Sequence, residues 1–260
     1  FFNVDDVEAT MNCVEEYISN QLFTIDEGLE IRYVPSGHIF AAQQLELFFK
    51  TGAHVSKVLY TSDLGNTLIE DSKIFVDKFN PVSNANIVIG ECTYSDRKRI
   101  MKKKDFDKDK EKIHSVIEQF CIDNKARVLI PTFSLDRTEY ILWLLYEMFG
   151  QDEDFKIPIV IDSPLAIRLI DCYSNVLQGE AKENFDKMMA WNNIQKVVTS
   201  EDSKSAVADN KPKVIISASG MLTAGRSVKW TQSILPNPND CFLFMGYCGV
   251  GTLGRTICDG

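Results

Sequence analysis

The sequence predicts an α/β protein whose second half forms a mainly parallel, doubly wound sheet. Fully apolar runs alternate there with helical segments, and this pattern is typical of buried parallel strands with helices on both faces. In the first half, short apolar runs each end in a turn with a polar side chain, as strands do at the sites of open sheets. At 260 residues the chain can form one large domain or two modest ones.

The first half is expected to contain one helix and several short strands. Asp5 or Asp6 can cap a helix in which apolar residues from Val7 to Ile18 recur on one face. The β-branched runs predict strands at Leu29–Val34, Lys57–Tyr60 and Asn86–Ile89. The intervening stretches are interpreted as linking segments of mixed character, Ala41–Phe49 and Leu68–Phe79.

A dense run of mixed charge, Lys98–Lys112, indicates a solvated helix face or a surface excursion and suggests a domain border. After it, the alternation becomes regular. Strands are predicted at Arg127–Ile130, Ile157–Ile161, Lys213–Ile216 and Cys241–Met245. Helices are predicted at Thr138–Phe149, Ala166–Leu177, Ala181–Ala190 and Ser227–Ile234.

The composition restricts the possible partners and compartments. A formal net charge of −9 excludes a nucleic-acid coat over the whole surface, so any polyanion would need a local basic cleft. No apolar run is long enough to span a bilayer. The seven cysteines include no C-x-x-C pair, which favours free thiols in a reducing compartment, with the cytoplasm as the default.

Three ligand-type side chains follow the predicted strands of the first half. His38, Asp63 and Glu91 each lie in a turn just after an apolar run. Because strand ends of an open sheet often carry the site, these residues form a candidate cluster. Imidazole and carboxylate are ligands that suit a metal such as zinc.

The strand ends of the second half carry glycines, hydroxyl groups and arginines. Freed N–H groups at helix starts with an arginine alongside suit a phosphate group. The candidate phosphate-binding residues are Arg137, Ser219, Gly220, Arg226 and Arg255, and Arg97 could join them. In the alternative interpretation, each guanidinium binds nearby carbonyls or carboxylates, such as Asp162 or Asp136, and holds its own loop.

These motifs resemble a known family. Ser36-Gly37-His38-Ile39, Ser62-Asp63-Leu64-Gly65 and the segment from Glu91 to Arg97 resemble the third and fourth metallo-β-lactamase motifs and the first β-CASP motif. Four further segments follow in family order: Ile130–Glu139, Asp162–Ala166, Ser219–Arg226 and Gly246–Arg255. The resemblance to the β-CASP metallo-β-lactamase nucleases covers essentially the whole chain.

The resemblance implies a partial metallo-β-lactamase αββα sandwich at residues 1–94 and a β-CASP domain at 95–260. It also implies two zinc ions in the intact protein and cleavage of RNA phosphodiester bonds. His38 would bind one zinc and Asp63 would bridge the two. Glu91 would orient a histidine ligand or handle a proton. RNA is then the expected substrate, with a homodimer or a multisubunit RNA-processing complex as further partners, and the nucleus as location in a eukaryotic complex.

The chain departs from the family pattern at its metal ligands. It has no H-x-H-x-D-H run and neither of the two later histidine segments, and its other histidines are His54 and His114. We therefore expect an internal piece of an active nuclease, which alone is inactive and binds zinc weakly or not at all.

Two alternatives remain open. The first is a degenerate, non-catalytic paralogue that acts as an RNA-binding or scaffold subunit. Phe40-Ala41-Ala42, Asp136 and Glu139, which differ from the family pattern, favour it, whereas retention of the three ligand-type residues disfavours it. The second is a small-molecule hydrolase or nucleotide-binding module, because a fold alone does not determine the substrate.

Overall fold

The computed structural model describes residues 2–65, 75–93, 95 and 103–260, with only the backbone at 103–105. The chain divides into two compact units. The amino-terminal unit contains Phe1–Glu70 and Val76–Ile100, and the carboxyl-terminal unit contains Asp71–Phe75 and Met101–Gly260. Arg97 and most of the predicted link after Leu68 lie outside the described residues.

The first helix is shorter than predicted and has a different cap. Helix α1 spans Val4–Met11, so the predicted extension to Ile18 is wrong. Its N-cap is Asn3, whose side chain accepts hydrogen bonds from the backbone N–H groups of Asp5 and Asp6. The Asp6 carboxylate in turn accepts from the Asn3 N–H, which completes a capping box. No residue of α1 is buried.

The amino-terminal unit contains one five-stranded sheet. Its strands are β1 Leu22–Asp26, β2 Leu29–Pro35, β3 Gln43–Thr51, β4 His54–Tyr60 and β5 Ile87–Ile89. They pair in sequence order, antiparallel from β1 to β4 and parallel between β4 and β5. The three predicted strands are therefore confirmed, with slightly different ends.

Strand β3 occupies the stretch predicted as a linking segment, so that prediction is wrong. The sequence pattern did not indicate this strand because polar residues occupy some of its buried positions. The Glu46 side chain has no exposed surface and accepts from Arg32 Nε at 2.5 Å and from Lys57 Nζ at 3.0 Å. Gln44 donates to the carbonyl of Asn80 at 2.8 Å. These partners offset the cost of burying polar groups in the middle of the sheet.

The carboxyl-terminal unit contains the predicted parallel sheet, and its α/β class is confirmed. The strands are β6 Arg127–Pro131, β7 Ile159–Ile161, β8 Ile194–Lys196, β9 Lys213–Ser217 and β10 Cys241–Phe242. Their spatial order is β10-β6-β9-β7-β8, and every described pair is parallel. All carboxyl ends therefore meet at one edge of the sheet.

Helices connect these strands. Helix α2 spans Lys103–Ile117 and continues as a π-helical segment, Glu118–Asp123. The others are α3 Arg137–Phe149, α4 Pro164–Val176, α5 Gly179–Met189, α6 Ser200–Ala208, α7 Arg226–Ile234 and α8 Leu253–Asp259. The four predicted helices are confirmed, whereas β1, β8, α6 and α8 were not predicted. None of the described helices is long and apolar enough to cross a membrane.

The core of this unit lies against the central strands. Leu129 of β6, Ile215 of β9 and Trp230 of α7 form one cluster and are fully buried. Phe75 packs edge-on against Trp143 and Phe185 on the helices. Close packing of this kind makes the sheet a rigid support for the loops at its carboxyl edge.

Candidate functional site

The sheet of the amino-terminal unit brings His38, Asp63 and Glu91 to one edge. They follow β2, β4 and β5, and all three strands run in the same direction. The Thr61 N–H donates to the carbonyl of Ile89 at 3.0 Å, which extends the pairing of β4 and β5 towards the site. The Gly65 N–H donates to the carbonyl of Ser36 at 2.9 Å and ties the turn after β4 to the loop after β2.

His38 and Asp63 face each other at this edge. Nε2 of His38 lies 3.9 Å from Oδ2 of Asp63, and the side chains are 42% and 69% exposed, so both can reach a ligand from solvent. Two ligands of a tetrahedral zinc, each about 2.0–2.1 Å from the ion, are about 3.3 Å apart. A small side-chain movement would let the pair bind one ion.

The residues present fit one part of a zinc site and do not complete it. A catalytic zinc normally has three protein ligands. The residues that the structure describes contain no group of three or more histidine, cysteine, aspartate or glutamate side chains placed to hold a metal. His54 lies at the start of β4, and His114 stacks on Phe149 in the other unit.

Glu91 braces the turn that carries Asp63. Its Oε1 accepts a hydrogen bond from the Leu64 N–H at 2.8 Å. Hydrogen bonds from Thr93 and from the Leu64 backbone, with a smaller contribution from His38, lower the pKa of Glu91. The carboxylate therefore stays ionised and joins the strand end of β5 to that of β4. Its predicted action on a histidine or a proton is untested.

The second candidate site is the carboxyl edge of the parallel sheet, formed by residues 132–136, 218–225 and 243–252. The loop 218–225 contacts both of the other loops. A Cβ placed on Gly220 would lie 3.2–3.3 Å from backbone atoms of Thr132 and Phe133. The Gly254 N–H donates to the carbonyl of Met221 at 3.0 Å, so the start of α8 packs on the loop after β9.

Two predicted phosphate-binding residues shape the loop after β9. Oγ of Ser219 accepts hydrogen bonds from the N–H groups of Thr223 at 3.1 Å and Ala224 at 3.3 Å. Gly225 has φ of +74°, and a Cβ there would meet the carbonyl oxygen of Ala218 at 2.6 Å. Only glycine fits this position without strain. Ser219 therefore holds its own loop, and Gly220 lets that loop approach the backbone of Thr132 and Phe133.

The three predicted arginines have different surroundings. Arg137 is exposed at the first residue of α3. Arg255, near the start of α8, donates through Nε to Asp259 at 2.8 Å and is 42% exposed. Arg226 at the start of α7 donates to Asp162 at 2.6 Å and to the carbonyls of Val197 and Val198 at 2.9 and 2.8 Å. Arg226 therefore makes the hydrogen bonds expected of an arginine that holds its own loop. Its binding of a phosphate group stays a prediction.

Asp162 is the centre of a buried network, although its sequence context suggests no more than a partner for an arginine. The residue has no exposed surface. Its carboxylate accepts from Arg226, from Ser203 Oγ at 2.7 Å and from Trp230 Nε1 at 2.8 Å. Its backbone carbonyl accepts from Ser217 Oγ at 2.8 Å. The network joins β7, β9, α6 and α7 at the carboxyl edge.

Glu139, in the first turn of α3, is buried without compensation. It is 1% exposed, and neither carboxyl oxygen has a hydrogen-bond partner among the described residues. Burial, with a smaller contribution from the charge of Asp136, raises the pKa of Glu139 to about 8. The carboxyl group is therefore mostly protonated at neutral pH.

The chain is similar in sequence to several known proteins. Residues 138–257 match the family model of the Beta-Casp domain. Integrator complex subunit 11 of Danio rerio is 28% identical over the whole chain, which covers 41% of that protein. A ribonuclease of Thermus thermophilus is 26% identical over 99% of the chain, which covers 57% of it. Cleavage and polyadenylation specificity factor subunit 3-II of Arabidopsis thaliana is 25% identical over 96% of the chain, which covers 39% of it.

Proposed function

Because the chain belongs to the β-CASP family of metallo-β-lactamase-fold nucleases, we propose that the intact protein hydrolyses RNA phosphodiester bonds with zinc as its metal. The observation that carries the proposal is the approach of His38 to Asp63 at 3.9 Å, with Glu91 bracing the same turn. One relative is named a ribonuclease and another a cleavage and polyadenylation factor, which supports RNA as the substrate.

His38 and Asp63 would bind one zinc ion, and Asp63 would also bind a second one. A bound zinc supplies an activated water and stabilises negative charge on the reacting phosphate. The chain spans 39% to 57% of these relatives, so activity, substrate and partners of a whole protein are part of the proposal. The domain limits 1–94 and 95–260 are also part of the proposal, and so is membership of a homodimer or an RNA-processing complex.

A non-catalytic RNA-binding or scaffold subunit is the second candidate. It is favoured by the lack of a third metal ligand among the described residues. Zinc content and cleavage activity of the intact protein distinguish the two candidates, because a scaffold needs neither.

The chain of 260 residues is expected to retain zinc below one equivalent after dialysis and to show no metal-dependent cleavage of RNA, since two ligands bind a catalytic zinc poorly. Elemental analysis of the dialysed protein, with a cleavage assay on a labelled single-stranded RNA, measures both. His38→Ala or Asp63→Ala should remove the residual zinc, whereas the control His54→Ala should not. Two zinc ions per chain, or cleavage by this chain, would contradict the expectation.

For the carboxyl edge, we propose that Arg137 and Arg255 contact RNA phosphates beside the backbone of Ser219 and Gly220. Arg226 has its guanidinium engaged by Asp162 and two carbonyls, so its contribution is the weakest of the three. Comparing the three arginines therefore distinguishes a role in phosphate binding from a role in holding the loop.

Changing Arg137 or Arg255 to alanine should weaken RNA binding about equally for different sequences. Each change should also lower the salt dependence of the binding constant by about 0.7–1 unit, because it removes one neutralised phosphate. Fluorescence anisotropy titrations at several salt concentrations give the slope. Arg226→Ala should leave the slope unchanged, and so should the control Lys187→Ala in the last turn of α5. Unchanged slopes for both Arg137 and Arg255 would remove the phosphate contacts.

A further inference from the structure

Two aromatic side chains are exposed at the carboxyl edge of the parallel sheet. Phe133, just after β6, is 54% exposed, and Tyr247, in the loop after β10, is 48% exposed. They are the exposed aromatic residues among the described residues of the carboxyl-terminal unit, in which other rings, such as those of Trp230 and Phe185, are buried. Packing within the unit therefore leaves much of these two rings free.

The topology brings the two aromatic residues into the same neighbourhood. Strands β6 and β10 are adjacent and parallel, with Phe242 beside Leu129. Phe133 lies four residues beyond Leu129, and Tyr247 lies five residues beyond Phe242. Because β6 and β10 run in the same direction, the loops that follow them leave the same edge of the sheet side by side. The first exposed aromatic residue of each loop therefore lies at a neighbouring position along that edge.

Both loops also converge on Gly220. A Cβ on Gly220 would lie 3.3 Å from the backbone nitrogen of Phe133. The thiol of Cys248, the residue after Tyr247, lies 3.8 Å from the carbonyl oxygen of Gly220. Because Gly220 has no side chain, its backbone packs closely against that of Phe133 and also contacts Cys248, so both loops lie next to the same residue.

The loop after β6 is held firmly, so its ring is presented from a fixed backbone. The carbonyl of Phe133 accepts hydrogen bonds from Thr132 Oγ1 at 3.2 Å and Thr138 Oγ1 at 3.1 Å. A rigid aromatic side chain loses little entropy when it makes a contact, and this favours its use in binding.

An arginine follows each ring along the chain. Arg137 follows Phe133 by four residues, at the start of α3. Arg255 follows Tyr247 by eight residues, near the start of α8. Exposed rings and arginines at the same edge of a sheet fit a ligand with flat apolar groups on an anionic backbone, and this is the chemistry of single-stranded nucleic acid.

We propose that Phe133 and Tyr247 form a stacking surface for unpaired bases of single-stranded RNA, next to the arginines that contact its phosphates. The inference rests on the proposed function, because it takes RNA as the ligand of this edge. Stacking tolerates any base, since every base has a π-face, so this surface provides affinity without sequence preference.

The test compares single-stranded RNA with an abasic ribose-phosphate oligomer of the same length, both bound to the whole 260-residue chain. Phe133→Ala and Tyr247→Ala should each weaken binding of the RNA about five- to a hundredfold. Neither change should weaken binding of the abasic oligomer more than about twofold. Tyr247→Phe, which keeps the ring, should bind nearly as well as the wild type.

Leu235→Ala is the matched control, because Leu235 is 56% exposed and lies at the far end of α7 from the carboxyl edge. All these side chains are exposed, so thermal unfolding should remain near the wild-type value. Unchanged RNA binding in both aromatic variants would overturn the stacking surface and leave the proposed function intact. The two exposed rings would then be candidates for contact with a protein partner. Equal weakening for RNA and the abasic oligomer would also overturn it. A wild-type chain that binds no RNA would overturn both.

Discussion

Replacing Asp162 with alanine is expected to lower the free energy of unfolding by about 3–5 kcal/mol. The carboxylate has no exposed surface and balances the guanidinium of Arg226, whose side chain is 15% exposed. Its removal leaves that cation, the Ser203 hydroxyl and the Trp230 indole N–H without their acceptor. Buried donors that lose an acceptor pay their full desolvation cost.

Urea unfolding monitored by tryptophan fluorescence and circular dichroism measures this change. Asp171→Ala is the matched control, because Asp171 is also an ion-paired aspartate but is 67% exposed, at 3.5 Å from Lys196. The control should change the free energy by less than about 0.5 kcal/mol. A loss below about 1 kcal/mol for Asp162→Ala would show that the network contributes little.

Glu139→Gln is expected to stabilise the protein at alkaline pH, on the order of 3 kcal/mol at pH 8–9. Burial raises the pKa of Glu139 from 4.5 to about 8 in the folded protein. The folded state therefore favours the protonated carboxyl group. Its contribution to stability is fully present below pH 4.5 and is lost as the pH rises through about 8, where the buried group ionises. Glutamine remains neutral and avoids this loss.

Unfolding free energies at several pH values between 5 and 9 measure the effect as a difference between variant and wild type. The difference should be small near pH 5 and should grow with pH. Glu183→Gln, an exposed position on α5, serves as control and should give a difference that does not change with pH. A constant difference for Glu139→Gln would mean that the carboxyl group is hydrated or paired in solution.

The parallel sheet could be predicted because its signal is local. Strands such as Lys213–Ser217 are apolar runs between turns, and the helix predicted at Ala166–Leu177 is confirmed as α4, which begins at Pro164. Strand β3 could not be recognised in the same way. Its buried Glu46 is stable only because Arg32 and Lys57, on the neighbouring strands, neutralise it. The fold brings such partners together, so a local sequence pattern does not reveal them.

The same limit applies to the candidate sites. The order of strand ends was enough to expect His38, Asp63 and Glu91 at one edge, and His38 and Asp63 do face each other. The hydrogen bond from the Leu64 N–H to Glu91 depends on the parallel pairing of β4 and β5, which short runs do not reveal. Likewise, only the packed structure identifies Asp162 as the acceptor of Arg226.

The strand order of the parallel sheet sets a length scale for anything bound along its carboxyl edge. From β10 through β6 and β9 to β7 there are three inter-strand steps, together about 14 Å at the usual spacing. Stacked nucleotides advance by about 3.4 Å each, so an RNA lying along this edge would place about four nucleotides on it. If the proposed rings and phosphate contacts bind RNA there, a footprint that short would not distinguish one transcript from another. The choice of target would then come from surfaces beyond this edge.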